Sequence, residues 1–385
     1  MRKITAFLTS VVLALSLAGS MALPISAKEQ SKSSELEPME VHFIDVGQGD
    51  ATLIKCGESA MLIDAGENDK GTLVQNYLKK QGVKSLDYLI ITHPDSDHSG
   101  GADVIITKYD IDTIIYPNYS KDTATWRDVT KAMDYKRYKV TEPVVGDTYS
   151  LGDAKFTIIA PNANDYGDNA NDYSVGIILQ HGNKKFVFTG DAEEAAESDI
   201  IKNKIDIKAD VLQVGHHGSR TASTSDFLKA VDPEYAVISC GEDNSYGHPH
   251  AATLNSLRSM GVKVYRTDEQ GSLVATSDGN KITWNAAPSD TWKAGEPNGS
   301  SDTNKTGVTS SSKTSNSQKS TQAVEEPKKE TQQDTQSISY VLNTKTKKFH
   351  KPSCGSLPTK NRKDTNMSRD EIISKGYDPC KKCNP

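Results

Sequence analysis

The sequence is poor in the features that mark membrane proteins and basic nucleic-acid binders. After its first 27 residues it has no apolar stretch long enough to cross a bilayer, which excludes a polytopic membrane protein. Its 45 Lys and Arg are outnumbered by 51 Asp and Glu, which excludes a uniformly basic nucleic-acid binder. Seven Met and three Trp, all scattered, are too few to suggest a cofactor box. The 35% of hydrophobic residues is typical of a globular protein.

Residues 1–27 have the pattern of an export signal. Arg2 and Lys3 form a charged start, an apolar stretch runs from Ile4 to Leu23, and the small pair Ser26-Ala27 is suited to cleavage. No Cys follows the pair, which argues against a lipoprotein, and an uncleaved anchor is the alternative. We therefore expect a secreted, extracellular protein without stable membrane insertion after cleavage.

A polar segment divides the rest of the chain. From Glu296 to Ser337 the only aliphatic residues are Val308, Ala323 and Val324, too few to offset the backbone entropy lost on folding. We predict a disordered linker at 286–337, between a body at 39–285 and a tail module at 338–385. The tail has 11 Lys and Arg against four Asp and Glu, so it is basic while the body is acidic.

Short apolar runs alternate with helical patterns along the body. They predict helices at 71–80, 192–202 and 251–260, and strands at 41–46, 51–55, 60–63, 86–92, 113–116, 156–160, 175–180, 186–189, 211–214, 235–239, 262–266 and 272–276. So many strands mixed with helices in one unit indicate an α/β fold of stacked sheets with helices outside.

Candidate metal ligands follow directly after one of these strands. His93-Pro94-Asp95-Ser96-Asp97-His98 places two imidazoles and two carboxylates within six residues. A loop this rich in charge is costly to fold unless a cation neutralises it, and this ligand set suits zinc, manganese or iron. The alternative is a polar turn with Ser99 as a helix cap.

Three more strands end in residues of the same kind. Asp64 follows Leu62-Ile63, Asp191 follows Thr189-Gly190, and His216-His217 follow Val214-Gly215. A single acid at a strand end is usually a turn former. Four such clusters together favour one shared metal site.

These motifs, in this order, resemble the metallo-β-lactamase fold, an αββα sandwich with metals at one edge. The phrases HFIDVGQGDATLI, THPDSDHSGG, FTGD, VGHHGS, YGHPH and RTDEQGSL resemble the soluble domain of ComEC-type DNA-uptake (competence) proteins and their secreted relatives. The resemblance covers nearly the whole body.

The resemblance implies one or two divalent ions, zinc or manganese. His93 and Asp95 would serve one position, and Asp97, His98 and one of His216 or His217 the other. Asp191 would bridge both positions, and Asp64 would orient a ligand without touching the metal.

The sequence departs from the common pattern of the fold at two places. Most of the fold's enzymes have a His where Asp95 stands, and a further His before the bridging acid. In place of the latter this chain has Asn171 and Asp172, which we expect to support the ligands from behind. The first metal position is therefore expected to be weak, empty or selective for a harder ion such as Mn²⁺. His181 lies beside a predicted hairpin turn, and we expect it to be exposed.

The implied reaction is hydrolysis. A bound cation would lower the pKa of its water, and the resulting hydroxide would attack a phosphoryl or carbonyl centre. Asp97 would position that water or accept its proton, and His248, with His250, lies where a relative would hold substrate or protonate a leaving group. A loop with a helix start at Pro249 is the alternative.

The expected substrate is extracellular DNA or another phosphodiester, which makes a secreted nuclease the leading hypothesis. A metal-dependent hydrolase of a small ester or lactone is one alternative. A non-catalytic protein that binds nucleic acid or cell-wall polymer is the other.

The tail has its own ligand pattern, formed by His350, Cys354, Cys380 and Cys383. Two Cys two residues apart, with a more distant His and Cys, are typical of a closed tetrahedral zinc site, and a disulfide is the alternative. The segment resembles small metal-binding modules related to that of the Ada DNA-repair protein. We predict one structural zinc here, and tethering to DNA or cell wall through the basic residues.

Overall fold

The computed structural model describes residues 36–163, 165–295, 340–352, 354, 357–358, 360–365, 372, 375, 377–380 and 382. The chain divides into two units between Asn304 and Lys305. The predicted leader, 1–27, and residues 296–337 of the predicted linker lie outside the described residues. Residues 286–295 belong to the first unit, in which Ser289 bridges to Val264. The domain boundaries given above stay predictions.

The first unit contains fifteen strands among its described residues. They are β1 (Met39–Phe43), β2 (Thr52–Cys56), β3 (Ser59–Ile63), β4 (Ser85–Ile90), β5 (Asp110–Ile115), β6 (Val140–Thr141), β7 (Thr148–Leu151), β8 (Ala154–Ala160), β9 (Gly176–His181), β10 (Lys184–Phe188), β11 (Val211–Gln213), β12 (Tyr235–Ile238), β13 (Lys263–Arg266), β14 (Leu273–Ser277) and β15 (Ile282–Trp284).

These strands form two sheets. The first has the order β15-β14-β1-β2-β3-β4-β5-β6, and the second has the order β13-β12-β11-β10-β9-β8-β7. Neighbours from β3 to β6 and from β10 to β13 run parallel. The other pairings are antiparallel.

The described part of this unit contains eight α-helices. They are α1 (Gly71–Lys80), α2 (Ser96–Ser99), α3 (Ala102–Lys108), α4 (Ala124–Lys136), α5 (Glu194–Lys202), α6 (Ser225–Val231), α7 (Ala251–Ser259) and α8 (Thr267–Gln270). Helix α4 begins after Thr123, whose hydroxyl accepts a hydrogen bond from the amide of Trp126. Its buried residues Trp126, Val129 and Met133 recur at helical spacing, so one face packs on the sheet.

Three apolar layers make this unit an αββα sandwich. Phe43 of the first sheet and Phe188 of the second meet in the central layer, with ring centroids 6.2 Å apart. A second layer lies between the first sheet and α1, α3 and α4, and a third between the second sheet and α5, α6 and α7. The predicted α/β class and αββα arrangement are confirmed.

The second unit is a four-stranded sheet. Its strands β16 (Tyr340–Asn343), β17 (Lys348–His350), β18 (Arg362–Thr365) and β19 (Asp378–Pro379) have the order β18-β16-β17-β19. Leu342, Phe349, Ile372 and Tyr377 form its small apolar cluster. Across the described parts of both units, no helix has the length and apolar character needed to span a bilayer.

Candidate metal centre

The loops after β3, β4, β10, β11 and β12 meet at one edge of the sandwich. They carry most of the predicted site residues, namely Asp64, His93, Asp95, Asp97, His98, Asp191, His216, His217 and His248. Parallel strands present their carboxyl ends at a common edge, so residues far apart in sequence converge there.

Four buried residues form the tightest cluster at this edge. One ligand atom from each of Asp50, His98, Asp191 and His217 lies within 4.8 Å of the others. A cluster of Asp and His residues consistent with a divalent metal is therefore present in this unit.

Asp50 is the member that the sequence analysis missed. It precedes β2, whose first residue, Thr52, pairs with the last residues of both β1 and β3. The beginning of β2 therefore lies at the same edge as the ends of its neighbours. Acidic residues just before an antiparallel strand can lie at the same edge as those just after a parallel strand, and this rule identifies Asp50.

Gly49 allows the Asp50 turn to approach the loop after β4. The backbone amide of Asp50 donates to the carbonyl of Asp97 at 3.0 Å. At Gly49 φ is +130°, and a Cβ there would lie 2.2 Å from the same carbonyl oxygen. Only glycine fits this close approach without strain.

Asp191 is surrounded by four imidazoles. Its Oδ1 lies 3.1 Å from Nε2 of His98 and 3.5 Å from Nε2 of His217. Its Oδ2 lies 3.9 Å from Nε2 of His93 and 3.6 Å from Nε2 of His216. One carboxylate thus faces a pair of ring nitrogens on each side.

The other nitrogen of each ring is anchored. Nδ1 of His98 donates to Asp64 at 2.8 Å, and Nδ1 of His217 donates to the carbonyl of Ser239 at 2.9 Å. Nδ1 of His216 lies 3.0 Å from Glu193 Oε1. Metal-binding histidines are commonly held in this way, because the anchor fixes both tautomer and ring orientation.

The fourth ring, that of His93, is anchored through Thr92. The Thr92 hydroxyl donates to Asp64 at 2.7 Å and lies 3.1 Å from His93 Nδ1, so this nitrogen donates to the hydroxyl oxygen. Nε2 of His93 then carries a lone pair, and it has no hydrogen-bond partner among the described residues although it is buried. A buried acceptor of this kind fits a metal ligand.

Nε2 of His98 and Nε2 of His217 face each other at 3.2 Å. Since both rings donate through Nδ1, both Nε2 atoms carry lone pairs in the neutral tautomer. Two facing lone pairs repel each other unless a positive charge lies between them. The residues present therefore fit a bound cation.

The charges of the cluster are strongly coupled. Against the effect of burial, Asp191 and Asp64 hold the pKa of His98 well above its usual value, and Asp191 and Asp97 do the same for His217. Burial raises the pKa of Asp50 to about 6. The carboxylates around these buried imidazoles therefore form a site that favours bound positive charge.

The two acids of the loop after β4 are placed differently. Oδ2 of Asp97 lies 3.2 Å from Nε2 of His217, and this interaction holds the pKa of Asp97 well below its usual range although burial opposes it. Oδ1 of Asp95 lies 2.5 Å from the ammonium of Lys121. The structure therefore brings Asp97 to the cluster, whereas it pairs Asp95 with a lysine.

Asn171 and Asp172 contact Glu193, the residue that holds the ring of His216. Asp172 accepts hydrogen bonds from the backbone amides of Glu193 and Ala196 at the start of α5. The amide of Asn171 lies 3.5 Å from Glu193. The sequence analysis missed Glu193, which lies outside every quoted motif although it is two residues after Asp191.

His248 lies behind the paired imidazoles. Its ring centroid is 5.4 Å from that of His216, 6.0 Å from that of His217 and 4.9 Å from that of His250. Burial, together with His217 and His216, lowers the pKa of His248 to about 3.

The expectation that His181 is exposed is wrong. It is the last residue of β9 and is fully buried, with Nδ1 3.0 Å from the hydroxyl of Ser277. The turn that follows contacts the segment after β14, because the amide of Asn183 donates to the carbonyl of Gly279 at 2.7 Å.

The second unit brings its predicted ligands together as well. Ligand atoms of His350, Cys354 and Cys380 lie within 4.8 Å of one another, and all three residues are buried. Cys383 lies outside the described residues. His350 Nδ1 has no hydrogen-bond partner in the described part of the chain.

Comparison with known proteins gives consistent matches to the first unit. A sequence profile described as the metallo-beta-lactamase superfamily matches residues 44–242. ComE operon protein 3 of Bacillus subtilis is 30% identical, with 61% of this chain and 32% of that protein covered. Recombination protein 2 of Haemophilus influenzae is 32% identical (61% and 28% covered), and competence protein ComA of Neisseria gonorrhoeae is 31% identical (60% and 31% covered).

The chain thus spans about a third of the length of the curated relatives it matches. One of these relatives is named a competence protein and another a ComE operon protein, and the resemblance stated from the sequence motifs is confirmed.

Proposed function

Since the chain belongs to the metallo-beta-lactamase superfamily, we propose that its first unit is a metal-dependent phosphodiesterase, a nuclease that acts on extracellular DNA. The observation that carries this proposal is the arrangement of four imidazoles, each presenting Nε2, around the two oxygens of Asp191. Such an arrangement suits two cations bridged by one carboxylate.

We assign two metal positions to the two sides of Asp191. The first would be held by Asp50, His98, His217 and Asp191. The second would be held by His93, His216 and Asp191. His216 then takes the place of the imidazole that this chain lacks before the bridging acid. Mixed carboxylate and imidazole ligands suit manganese or zinc.

A bound divalent cation supplies Lewis acidity toward a phosphoryl oxygen and lowers the pKa of a water molecule. The protein's own groups orient the water. Asp97 contacts His217 while its side chain keeps 20% of its surface exposed, so it reaches both the cluster and the solvent. Asp97 would position the attacking water as a hydrogen-bond acceptor, since its lowered pKa keeps it ionised. Asp64 and Glu193 keep His98 and His216 in the orientation that presents Nε2.

DNA as the substrate is supported by the relatives' names, which refer to competence and recombination. His248, buried beside the paired imidazoles, would help to position a strand held at this edge. Secretion is supported by the leader pattern of residues 1–27.

The second unit is proposed to hold one structural zinc through His350, Cys354, Cys380 and Cys383. A module as short as residues 338–385 needs such a crosslink to be stable. Five cationic residues are exposed at the end of the sheet that carries the β16–β17 turn, where Asn343 pairs with Arg362: Lys345, Lys347, Lys360, Arg362 and Lys363. They would tether the protein to DNA phosphates or to an anionic cell wall. This binding would weaken as the salt concentration rises.

The decisive experiment incubates the purified chain with linear DNA and Mn²⁺, with and without chelator. A lactone and an aryl ester are tested in parallel, and Asp191→Asn serves as the inactive control. We expect DNA fragments only with metal, and a loss of at least about a hundredfold in the variant. Intact DNA with a hydrolysed lactone or ester would support the small-substrate alternative. Binding of DNA without any hydrolysis would support the non-catalytic one.

A further inference from the structure

We propose that Tyr246 is a base-stacking residue that gives the metal centre its preference for single-stranded nucleic acid. This inference rests on the proposed function, because it names the form of phosphodiester that the same site accepts.

The tyrosine ring lies next to the cluster and faces solvent. Tyr246 is 57% exposed, and its ring stacks on that of His248 with centroids 5.6 Å apart and planes inclined by 17°. The His248 ring in turn lies 6.0 Å from that of His217. An exposed aromatic ring is thus two ring contacts from a proposed metal ligand.

The loop that carries Tyr246 is pinned by Asn244. The Asn244 side chain accepts hydrogen bonds from the amides of Tyr246 at 3.1 Å and His248 at 3.0 Å. It also donates to the carbonyls of His248 at 2.6 Å and Gly241 at 2.9 Å. A tyrosine held in place by its loop loses little further entropy when a ligand stacks on it.

The chemistry of the ring points to a nucleobase. Bases in a single strand expose their faces and stack on aromatic side chains, whereas bases in a duplex are covered by their neighbours. Phosphate attraction alone is weak at an acidic unit, so a contact to the base adds affinity that the local charge does not supply. The flat ring of Tyr246 offers that contact beside the cleavage site.

The test measures binding of two fluorescent 20-residue strands by anisotropy, one of thymidines and one with the same phosphates but no bases. All proteins carry Asp97→Asn, so that the strands stay intact. We expect the parent to bind the thymidine strand at least about fivefold more tightly than the abasic strand. Tyr246→Ala should reduce this ratio to near one, and Tyr246→Phe should keep it.

Tyr135→Ala is the matched control, since Tyr135 is an 81% exposed tyrosine on α4. Its neighbour Lys136 contacts Asp110, the first residue of β5, so Tyr135 lies at the opposite edge from the cluster. An unchanged ratio in Tyr246→Ala overturns the inference. So does an equal loss on both strands, which would mean that the ring only supports His248, and so does a parent that binds neither strand.

DNA cleavage by the unmodified chain decides the proposed function separately. If the chain cleaves DNA but Tyr246→Ala leaves the binding ratio unchanged, only the role of Tyr246 is excluded. If Tyr246→Ala lowers the ratio but the chain cleaves no DNA, the nuclease proposal is excluded and Tyr246 is still a binding residue.

Discussion

Nε2 of His98 lies 3.2 Å from Nε2 of His217, although the two residues are 119 positions apart in the chain. His98 follows a strand of the first sheet and His217 a strand of the second. Both rings are fixed by a hydrogen bond through Nδ1, to Asp64 and to the carbonyl of Ser239. The sandwich therefore brings two ring nitrogens together beside Asp191, an arrangement that fits a cation bound by both rings.

The two neighbouring histidines of the loop after β11 should differ in effect. We expect His216→Ala to lower bound Mn²⁺ from about two ions per chain to about one, because it removes a ligand on the Oδ2 side of Asp191 only. We expect His217→Ala to remove the ion on the Oδ1 side and to abolish cleavage. Elemental analysis after gel filtration measures both. Equal manganese content in His216→Ala and the parent would contradict the assignment.

Asp64→Asn should weaken metal binding by about 10- to 100-fold while leaving the fold intact, because the neutral side chain no longer fixes the His98 tautomer. Asparagine tolerates the left-handed backbone at this position, where φ is +58°. Asp232→Asn is the control, since Asp232 is also left-handed and lies at the end of α6. Isothermal titration with Mn²⁺ gives the affinities. A parent-like affinity in Asp64→Asn would argue that His98 needs no anchor.

Asp50→Asn should lower Mn²⁺ affinity by at least about tenfold, because it removes one negative ligand from a buried cluster. Asp69→Asn makes the same change of charge at a side chain that is 76% exposed, and it should leave the affinity unchanged. The same titration compares the two. If both variants lost affinity equally, the effect would come from net charge, and Asp50 would not be a ligand.

Gly49→Ala should destabilise the first unit by about 2 kcal/mol or more, since it combines a positive φ with a close contact to the Asp97 carbonyl. Gly82→Ala is the control. It also has positive φ, at +77°, but a Cβ there would meet nothing within 4 Å, so only the backbone penalty remains. Urea denaturation should show the larger loss for Gly49→Ala. Equal losses would mean that the close approach to Asp97 is unimportant.

Much of this architecture could be predicted because it is encoded in local sequence patterns. Apolar runs marked β3, β4, β10, β11 and β12, and the ligand-rich loops come directly after them. Helices α3, α4 and α6 were missed. The first and last have only seven residues each, too few to show a helical period, and α4 is mostly polar. The strand predicted at 86–92 ends earlier, at Ile90, and Thr92 lies in the site loop, where it bonds to Asp64.

The residues that were missed depend on tertiary contacts. Asp50 reaches the cluster only because β2 runs antiparallel between β1 and β3. Glu193 contacts His216, and Lys121 contacts Asp95, which lies 26 positions earlier in the chain. The spacing of residues along the sequence does not indicate these contacts. The choice between His216 and His217 also needed the structure, since adjacent residues cannot be separated by periodicity alone.

Anomalous diffraction from crystals grown with Mn²⁺ tests the central claim most directly. We expect a peak about 2.0–2.3 Å from Nε2 of His98, Nε2 of His217 and Oδ1 of Asp191, because two nitrogens 3.2 Å apart can bind the same ion. A peak bound elsewhere, or no peak at this edge in manganese-saturated crystals, would contradict the account.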